Sequence, residues 1–415
     1  MESLGAKLPG TNVQEALRQI LAQFSSLSPE KFALDKACGL VLAEPLVCSV
    51  QHPSEDTSAM DGYAVKAENL AQASGKNPIA LTLLEDISAG NAPRFKVVSG
   101  TASRISTGAL LPEGADSVVM REMSELLDDG SVRFQAPTPL GNHIRFAGEH
   151  LRVGEEVLVP GTIMNAAELG MAAFLGKGEV SCIPRVKVAV LATGSELVAA
   201  QSGRVLKRGQ IHDSNSIALA AAARELGCEV TMRACVPDDQ KELDKALEEA
   251  FSRARIVLTS GGISAGWHDL VRGRIEHLGG EFDFHKLRMR PGKPLAFGSC
   301  GGANFFCLPG NPVSSLVTFE VFVKPALLKL MGRTPVTKAR TAILAEPISK
   351  RAGYTIFFRG ELDEAVSPPQ VRLTGPQGSH MLRSLVKANV LIRPEETDEH
   401  LAAGSEVHVL PYNFV

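Results

Sequence analysis

Short apolar runs alternate with helix-like segments between residues 186 and 332, and this alternation constrains the fold more than any other feature of the chain. Val186–Leu191, Glu229–Ala234 and Ile256–Leu258 are typical of buried strands, and a helical pattern follows each of them. Strands that alternate with helices predict a parallel sheet inside an α/β sandwich. In such folds, ligands bind at the carboxyl ends of the strands.

Local signals mark the ends of the predicted helices. Gly227 is a typical helix end, and Asp238 or Asp239 is a typical helix cap. The predicted helices are Asn215 to Leu226, a segment from Asp238 or Asp239 to about Ala254, Asp269 to Leu278, and Pro312 to Leu330.

The segments on either side of this region have a different pattern. Asn12 followed by Glu15 predicts the start of an N-terminal helix. From about Leu46 to Arg145, short runs separated by turns predict a β-rich inserted domain, with candidate strands at Lys96–Val98 and Ser117–Arg121. Short strands return from Val336 onward and predict a small C-terminal β-barrel or sandwich.

Composition excludes several classes of function. The length of 415 residues predicts about three domains. A net charge of −3 and only 5% aromatic residues argue against a nucleic-acid-binding or membrane-surface protein. No signal peptide or membrane-spanning segment is visible, and the seven cysteines include no Cys-x-x-Cys pair, so neither a zinc site nor a disulfide framework is indicated. We therefore expect a cytoplasmic protein.

The most informative loop follows the strand at Ile256 and reads TSGGISAGWHDLVR from Thr259. Gly261 and Gly262 permit a sharp turn that brings bare amides close to a ligand, and a helix N-terminus follows. Asp269 at the head of that helix favours a metal that bridges phosphates, although capping is the commoner use of such a residue. The loop predicts a phosphate-bearing ligand with a divalent ion.

Carboxylates also follow the neighbouring strands. Glu196 comes directly after Thr-Gly-Ser, and Asp238 follows the next strand. Two or three carboxylates at adjacent strand ends suit Mg²⁺, which prefers oxygen ligands. For Asp238, a helix cap is the better interpretation by roughly two to one from the residues alone.

A run of cations lies further on. Lys286, Arg288 and Arg290 alternate with two apolar residues, so a strand would place the three cations on one face, and Lys293 adds a fourth. A solvated edge strand and an oxyanion-binding site have roughly even odds from this pattern alone. The nearby glycine loop favours the oxyanion site.

With these residues in place, the chain closely resembles the MoeA family of molybdopterin molybdenumtransferases, to which the E domain of gephyrin is related. The motifs that carry the resemblance occur in the order of the family and cover nearly the whole chain. They are SAMDGYAV from Ser58, RISTGALLPEGADSVVMRE from Arg104, ATGSEL from Ala192, GQIHDSNS from Gly209, TSGGISAGWHD from Thr259, RPGKPLAFG from Arg290, LPGNPVSS from Leu308 and GPQGSH from Gly375.

The resemblance implies an enzyme that inserts molybdate into adenylylated molybdopterin. Mg²⁺-dependent cleavage of the pyrophosphate would release AMP and the molybdenum cofactor. The implied fold is α/β multidomain, with a MogA-like α/β sandwich domain, an inserted β-rich domain, an elongated N-terminal domain and a small C-terminal β-barrel. The implied domain bounds are 1–45 with 146–180, then 46–145, 181–333 and 334–415.

Site residues follow from the same resemblance. Glu196 and Asp269 would hold the metal. The implied catalytic residues are Asp61, Thr107, Arg145, Asp238, Lys286 and Arg290. The implied substrate-binding residues are Gly261, Gly262, Arg288, Lys293, Pro309, Pro312, Arg359 and Ser379. A homodimer is expected, with each cleft completed by the inserted domain of the other subunit, and an adenylylating MogA-type enzyme and molybdoenzyme apoproteins are possible partners.

The chain departs from the family pattern at three positions. His150 stands where an aspartate is common, Arg290 replaces a usual lysine, and Arg288 replaces a small residue. Three alternatives stay open: a tungstate-inserting paralogue, a CinA-like enzyme that shares only the α/β module, and a non-enzymatic scaffold like the E domain of gephyrin. Molybdate and tungstate have nearly the same size and charge, so the residues do not separate the first alternative.

Overall fold

The structure is a computed structural model, and it describes residues 10–262, 270–284, 286–335 and 339–412. The chain divides into two compact units. The first unit contains the chain up to Ala43, Gly161–Ala166 and everything from Glu179 onward, and the second contains Glu44–Pro160 and Ala167–Gly178. The second unit is therefore an insertion in the sequence of the first.

A six-stranded sheet forms the centre of the first unit. Its first four strands pair in parallel, and each of its last two strands pairs antiparallel with the strand before it in the sheet. In spatial order the strands are Glu229–Val236, Lys187–Thr193, Ile256–Ser260, Ala303–Leu308, Ala296–Cys300 and Glu281–Phe284.

Helices cover both faces of this sheet because alternate strand residues point to opposite sides. Val188 and Val190 lie in one core, with the helices Asn215–Glu225 and Pro312–Thr318. Ala189 and Leu191 lie in a second core, with the helices Gln240–Arg253 and Leu270–His277. The predicted α/β sandwich is confirmed.

The helix Gln240–Arg253, which follows the strand Glu229–Val236, begins with a side-chain cap. Asp239, not Asp238, provides it, and its carboxylate accepts hydrogen bonds from the amides of Lys241 and Glu242 at 3.0 Å each. The interpretation of Asp238 as a helix cap is therefore wrong, and the Asp238 carboxylate is available for another role.

The helix predicted from Pro312 to Leu330 is helical throughout but is not a single α-helix. A π-helical segment, Phe319–Val323, joins the α-helices Pro312–Thr318 and Lys324–Leu330. Glu320 is buried in that segment, where it pairs with Lys324 at 2.6 Å.

The N-terminal helix Val13–Ala22 begins as predicted, because the side chain of Asn12 accepts the amides of Gln14 and Glu15. A three-stranded antiparallel sheet follows it in the same unit. Its strands, in spatial order, are Glu30–Ala33, Glu179–Ile183 and Val41–Leu42, and the short helix Leu34–Lys36 lies between two of them in sequence.

The C-terminal part of the first unit is a closed five-stranded barrel around its own apolar core, as predicted. Its strands, in spatial order, are Arg340–Leu344, Gln370–Leu373, Phe358–Asp363, Val390–Arg393 and Glu406–Pro411. Smaller elements are Ile348–Ser349, Thr355–Ile356, Arg383–Val386 and His400–Leu401. The parallel pairing of Thr355–Ile356 with Met289–Arg290 joins the barrel to the α/β region.

The second unit is built on another six-stranded sheet, so the predicted β-rich insertion is confirmed. Its strands, in spatial order, are Ser117–Met120, Gly62–Val65, Thr101–Ile105, Ile79–Ile87, Ser131–Phe134 and Ser124–Leu126. Two-stranded ribbons pair Thr57–Ser58 with Ile144–Arg145 and Leu46–Val47 with Glu156–Leu158. The helix Ala166–Phe174 lies at the end of the insertion.

The candidate strand Lys96–Val98 is wrong. Although Val97 is buried, its amide makes one bond to the carbonyl of Glu113 and the segment joins no sheet. Across the described ranges, no helix is long and apolar enough to cross a membrane.

Candidate functional site

Two neighbouring clefts open in the first unit. The larger, about 730 Å³, lies at the carboxyl ends of the parallel strands, and among the described residues the carboxylates of Glu196, Asp213 and Asp238 line it. We call it the acidic cleft. Gly261, Gly262, Pro309 and Pro312, four of the predicted substrate-binding residues, also line it.

The glycine loop is built as the sequence predicts. Gly261 and Gly262 have φ angles of +97° and +65°, which L side chains rarely adopt. A Cβ on Gly261 would lie 2.4 Å from the carbonyl oxygen of Thr193. Only glycine therefore lets this loop pass so close to the end of the neighbouring strand.

Asn215 joins three segments of the acidic cleft. Its side-chain amide donates to Ser260 Oγ at 2.8 Å and to the carbonyl of Gly310 at 2.7 Å. Ser260 Oγ in turn donates to the carbonyl of Pro309 at 3.2 Å. The first residue of a helix thereby holds the glycine loop and the Pro309–Gly310 turn together.

Asp238 is held at the rim of the acidic cleft by Ser195. Its Oδ2 accepts the Ser195 amide at 3.0 Å, while its own amide donates to Ser195 Oγ at 3.2 Å. This exchange fixes the carboxylate beside Glu196, the next residue along the chain from Ser195. Within the described ranges, Asp238 Oδ1 and both carboxylate oxygens of Glu196 have no side-chain or backbone donor.

Asp213 has a different role from the other two acids. It is buried, with 2% of its surface exposed, and its two oxygens accept the amide and the hydroxyl of Ser216. Ser216 Oγ accepts a further hydrogen bond from Arg233 Nη1 at 3.0 Å. Because its oxygens are engaged, Asp213 supports the wall of the cleft.

One buried hydroxyl of the acidic cleft has no hydrogen-bond partner in the described part of the chain. Thr193 is 4% exposed, and its Oγ1 makes no hydrogen bond to any described residue. A buried polar atom normally has a partner, so an orphan at the end of a strand marks a place where a polar ligand is expected.

The second cleft, about 500 Å³, lies between the Met289–Pro294 turn and the C-terminal barrel. Five cations line it, and no carboxylate does so among the described residues. We call it the cationic cleft. The five are Arg290, Lys293, Lys350, Arg351 and Arg359.

Arg359 is a buried cation without a counter-charge. Only 1% of the residue is exposed, and its guanidinium donates to Ser384 Oγ at 3.1 Å and to the carbonyl of Gly378 at 3.3 Å. No carboxylate in the described chain lies within ion-pair distance of it. Burial lowers the pKa of Arg359 to about 10, so it is a cation at neutral pH. A buried guanidinium without an acid partner favours an anionic ligand.

A thin wall separates the two clefts. Ser379 lines the cationic cleft and His380 lines the acidic one, while Pro294 and Ser314 border both. Asn311 Nδ2 donates to Ser379 Oγ at 2.9 Å, and the carbonyl of Ser379 accepts the amide of Val313 at 3.1 Å. These bonds attach the barrel loop to the start of a helix of the sandwich.

The cation run has the predicted alternation, with Leu287 and Met289 fully buried. Of its three cations, only Arg290 lines the cationic cleft. Lys286 is exposed, and Arg288 is half-buried with an unpartnered Nε among the described residues. Neither lines either cleft in the described chain, so their contact with substrate stays a prediction.

In the second unit, two predicted residues contact each other. Asp61 Oδ1 accepts the Thr107 amide at 2.7 Å and the Thr107 hydroxyl at 2.9 Å. These two bonds hold the pKa of Asp61 below its ordinary value, so Asp61 is ionised at neutral pH. Arg145 is exposed in the nearby ribbon, paired through its backbone with Thr57.

Two further residues considered from the sequence are His150 and Asp269, and the structure describes only the first of them. His150, which replaces the usual aspartate, lies beside Phe174 with the ring centroids 6.0 Å apart. Asp269, predicted to bind metal, lies outside the described residues. Within the described ranges, no group of three or more metal-binding side chains is assembled.

Sequence reasoning missed several residues of the acidic cleft. Asn215 and Ser260 line it, as do His212, Ser214 and His380. The signal for Asn215 was present in the segment IHDSNS, which begins at a strand and enters a helix. Its role depends on contacts with residues 45 and 95 positions away, which the segment itself does not reveal.

The fold and the two clefts define a class of multidomain enzyme whose central α/β domain carries its site at the strand ends. The sequence matches three family models that together cover most of the chain. They are the MoeA N-terminal region (domain I and II) over residues 11–176, a probable molybdopterin binding domain over residues 189–329, and the MoeA C-terminal region (domain IV) over residues 341–412. The chain belongs to the MoeA family of molybdenum cofactor biosynthesis.

Similar proteins match over nearly the full length. A Mycobacterium tuberculosis protein named molybdopterin molybdenumtransferase 2 is 40% identical over 96% of this chain and 98% of its own. A Haemophilus influenzae molybdopterin molybdenumtransferase is 37% identical over 92% and 94%. The crystal structure of a MoeA protein from Pyrococcus horikoshii superposes with a TM-score of 0.83, at 30% identity over 97% of this chain and 99% of that one.

These matches confirm the predicted family and a transferase of the MoeA type. The domain bounds and the individual site residues stay predictions.

Proposed function

We propose that this enzyme inserts molybdate into adenylylated molybdopterin, cleaving the pyrophosphate link and releasing AMP. The observation that carries the proposal is the pair of adjoining clefts, one rich in carboxylates and one rich in cations. Two anionic reactants would then lie on either side of the wall between the clefts, one bound through a cation held by carboxylates and one bound directly by cationic side chains.

The acidic cleft would bind the pterin and its pyrophosphate. The glycine loop offers close approach to backbone amides, and the orphan hydroxyl of Thr193 is a donor for a phosphate oxygen. Carboxylates alone would repel a pyrophosphate, so a bound cation is needed between them.

The carboxylates fit Mg²⁺. The ion commonly uses one or two protein carboxylates together with substrate phosphates and water. Asp238 Oδ1 and the Glu196 carboxylate are the available oxygens among the described residues, and Asp269 is the further predicted ligand. When bound, the ion would neutralise the phosphate oxygens and stabilise charge on the leaving group.

The cationic cleft would bind the oxyanion. Arg359 and Arg290 present guanidinium groups, which suit tetrahedral dianions because their donors form a planar fork. Ser379 adds a hydroxyl at the wall. Tungstate has the same charge and nearly the same size, so we expect it to compete for the same cleft.

In the proposed reaction, water attacks the phosphorus of the adenylate group and the bridging P–O bond breaks, so that AMP and the pterin phosphate separate. The two dithiolene thiols of the pterin form two Mo–S bonds to molybdate, and one molybdate oxygen leaves as water with the two thiol protons. The residues of this chain would act mainly by holding the reactants in place, without a protein nucleophile. Asn215 would keep the glycine loop and the Pro309–Gly310 turn at a fixed separation.

We further propose a homodimer in which Asp61, Thr107 and Arg145 of one subunit complete the cleft of its partner. The support is chemical. An exposed Asp61 that is fixed by Thr107 and ionised at neutral pH is suited to orient water. Mixing an Asp61→Asn chain with a chain inactivated at Asp238 tests this, because hybrid dimers would regain activity.

The decisive experiment mixes the protein with adenylylated molybdopterin, Mg²⁺ and molybdate and follows the release of AMP. We expect Asp238→Asn to slow release by about 10²-fold or more, since the charge of a carboxylate proposed to hold Mg²⁺ is lost. Asp239→Asn is the matched control. It removes the same charge one residue away, and asparagine is an equally good helix cap.

We expect the Asp239→Asn control to release AMP at the wild-type rate. Equal rates for wild type and Asp238→Asn would remove Asp238 from the reaction. Wild-type protein that releases no AMP under these conditions would contradict the proposed function itself.

A further inference from the structure

Tyr354 lies beside the cationic cleft and contacts two arginine side chains. The Cζ atoms of Arg290 and Arg351 are 5.5 Å and 5.6 Å from the centroid of its ring. Tyr354 is only 6% exposed, whereas both arginines are exposed and line the cleft. One buried aromatic ring therefore contacts two exposed cations from different parts of the chain.

Backbone pairing fixes this arrangement. The amide of Thr355 donates to the carbonyl of Arg288 at 3.0 Å, and that of Phe357 donates to the carbonyl of Arg290 at 2.9 Å. On the other side, the amide of Gly353 donates to the carbonyl of Glu396 at 2.9 Å. The segment that carries Arg351 and Tyr354 is thus held against the strand that carries Arg290.

Neither arginine has an acid partner in the described part of the chain. The nearby Glu396 carboxylate is already engaged, because it accepts Thr355 Oγ1 at 2.5 Å and Asn12 Nδ2 at 3.2 Å. Lys350, the neighbour of Arg351, donates its Nζ to the carbonyl of Glu396 at 3.0 Å. Arg351 makes no such bond to any described residue, so its donors are available for a ligand.

Two guanidinium groups on one ring repel each other, and the attraction of each to the ring face only partly offsets that repulsion. A dianion placed between them would remove the repulsion and accept hydrogen bonds from both forks. A monoanion of the same shape would gain much less. The pair is therefore suited to select by charge.

We propose that Arg351 binds the oxyanion directly, together with Arg290, and that Tyr354 is the positioning residue that keeps the two guanidinium groups apart and aimed at the cleft. This inference rests on the proposed function of the cationic cleft. It adds a source of specificity: a preference for tetrahedral dianions, such as molybdate and tungstate, over tetrahedral monoanions.

The test is calorimetric titration of the full-length chain with molybdate and, separately, with perrhenate, a tetrahedral monoanion of similar size. We expect Arg351→Met to weaken molybdate binding by about tenfold, the loss of one charge-assisted contact, and perrhenate binding by clearly less. Tyr354→Leu is expected to weaken molybdate binding several-fold, while Tyr354→Phe, which keeps the ring, leaves it unchanged.

Arg372→Met is the control for nonspecific charge. Arg372 lies on the same barrel but pairs with Glu361 at 3.1 Å and lines neither cleft, so its loss should leave both affinities unchanged. Arg351→Met is expected to fold because Arg351 is exposed, so the test does not depend on whether the Tyr354→Leu variant folds.

Two different failures are distinguishable. If the wild-type chain binds molybdate but Arg351→Met retains both the affinity and the dianion preference, the role of Arg351 is overturned and the proposed function stands. If the wild-type chain binds no molybdate at all, the assignment of the cationic cleft fails as well.

Discussion

At the scale of single residues, the Asp61–Thr107 contact has a measurable electrostatic consequence. The Thr107 amide and hydroxyl both stabilise the charged carboxylate, so the pKa of Asp61 lies below its ordinary value. Thr107→Val removes the hydroxyl bond and should raise that pKa toward the ordinary value, whereas Thr107→Ser should leave it low. A carbon-detected NMR titration of the Asp61 carboxyl measures the difference.

The same contact predicts a pH dependence of folding. A carboxyl whose pKa is depressed in the folded state stabilises the fold above its unfolded pKa, and this contribution disappears as the pH falls through the folded pKa. Thr107→Val should therefore be less stable than Thr107→Ser at pH 7, and the two should converge in strong acid. A difference that persists unchanged in acid would show that the hydroxyl acts through packing.

Residue-scale chemistry was partly predictable from the sequence. The glycine loop and the cations near Arg290 were found because their residue types restrict what the backbone and the ligand can be. Asp238 was harder, since Asp238 and Asp239 are both typical caps and only the geometry shows that Asp239 has that role. The hydroxyl of Thr193 has no partner among the described residues, and this could not be predicted because it depends on surroundings that the sequence does not reveal.

At the scale of elements, the glycine loop makes a prediction about backbone strain. A Cβ at position 262 would lie 2.4 Å from Val271 Cγ2, and the φ angle of +65° is unfavourable for alanine. Gly262→Ala should therefore reduce the free energy of unfolding by about 1–3 kcal/mol. Urea unfolding monitored by fluorescence measures this change.

Gly273 provides a matched control for that substitution. It lies inside the helix Leu270–His277, and a Cβ there would meet no atom within 4 Å. Gly273→Ala should raise the free energy of unfolding by about 0.5–1 kcal/mol, because alanine is the better helix former. A stabilising Gly262→Ala would mean that the loop adopts another conformation in solution.

Most helices and strands of the sandwich were predictable, because periodicity and end signals are local. The π-helical segment Phe319–Val323 was not, since all but Val321 of its residues are buried and the segment therefore has no one-sided burial pattern. The segment Lys96–Val98, which was predicted to be a strand, has the composition of an edge strand but pairs with no other strand in the described chain. Pairing between distant segments decides such cases.

At the scale of the whole molecule, each unit has its own apolar core, around Val190 and Ala189 in the first and around Tyr63 in the second. We expect at least two unfolding transitions in calorimetry. Trp267, the single tryptophan of the chain, belongs by sequence to the first unit, so its fluorescence should follow that transition. Molybdate at a hundred times its Kd should stabilise that transition by about 2.7 kcal/mol and leave the other unchanged.

A single transition, coincident by fluorescence and calorimetry and shifted as a whole by molybdate, would contradict independent unfolding of the units.

The assembly of a cleft from distant segments was the least predictable feature from residues alone. The cationic cleft combines a turn near Arg290 with barrel segments near Lys350 and Gln377, which are far apart in the chain. Only the resemblance to a known family linked them in advance.

The wall between the two clefts has a practical consequence for inhibitor chemistry. Pro294 and Ser314 face both sides of it, and Ser379 and His380 are consecutive residues. A bisubstrate compound that tethers a dianionic head group to a nucleotide-like tail would therefore need only a short linker to occupy both chambers. The gain in affinity of the tethered compound over its separate head group and tail would measure how rigid this partition is.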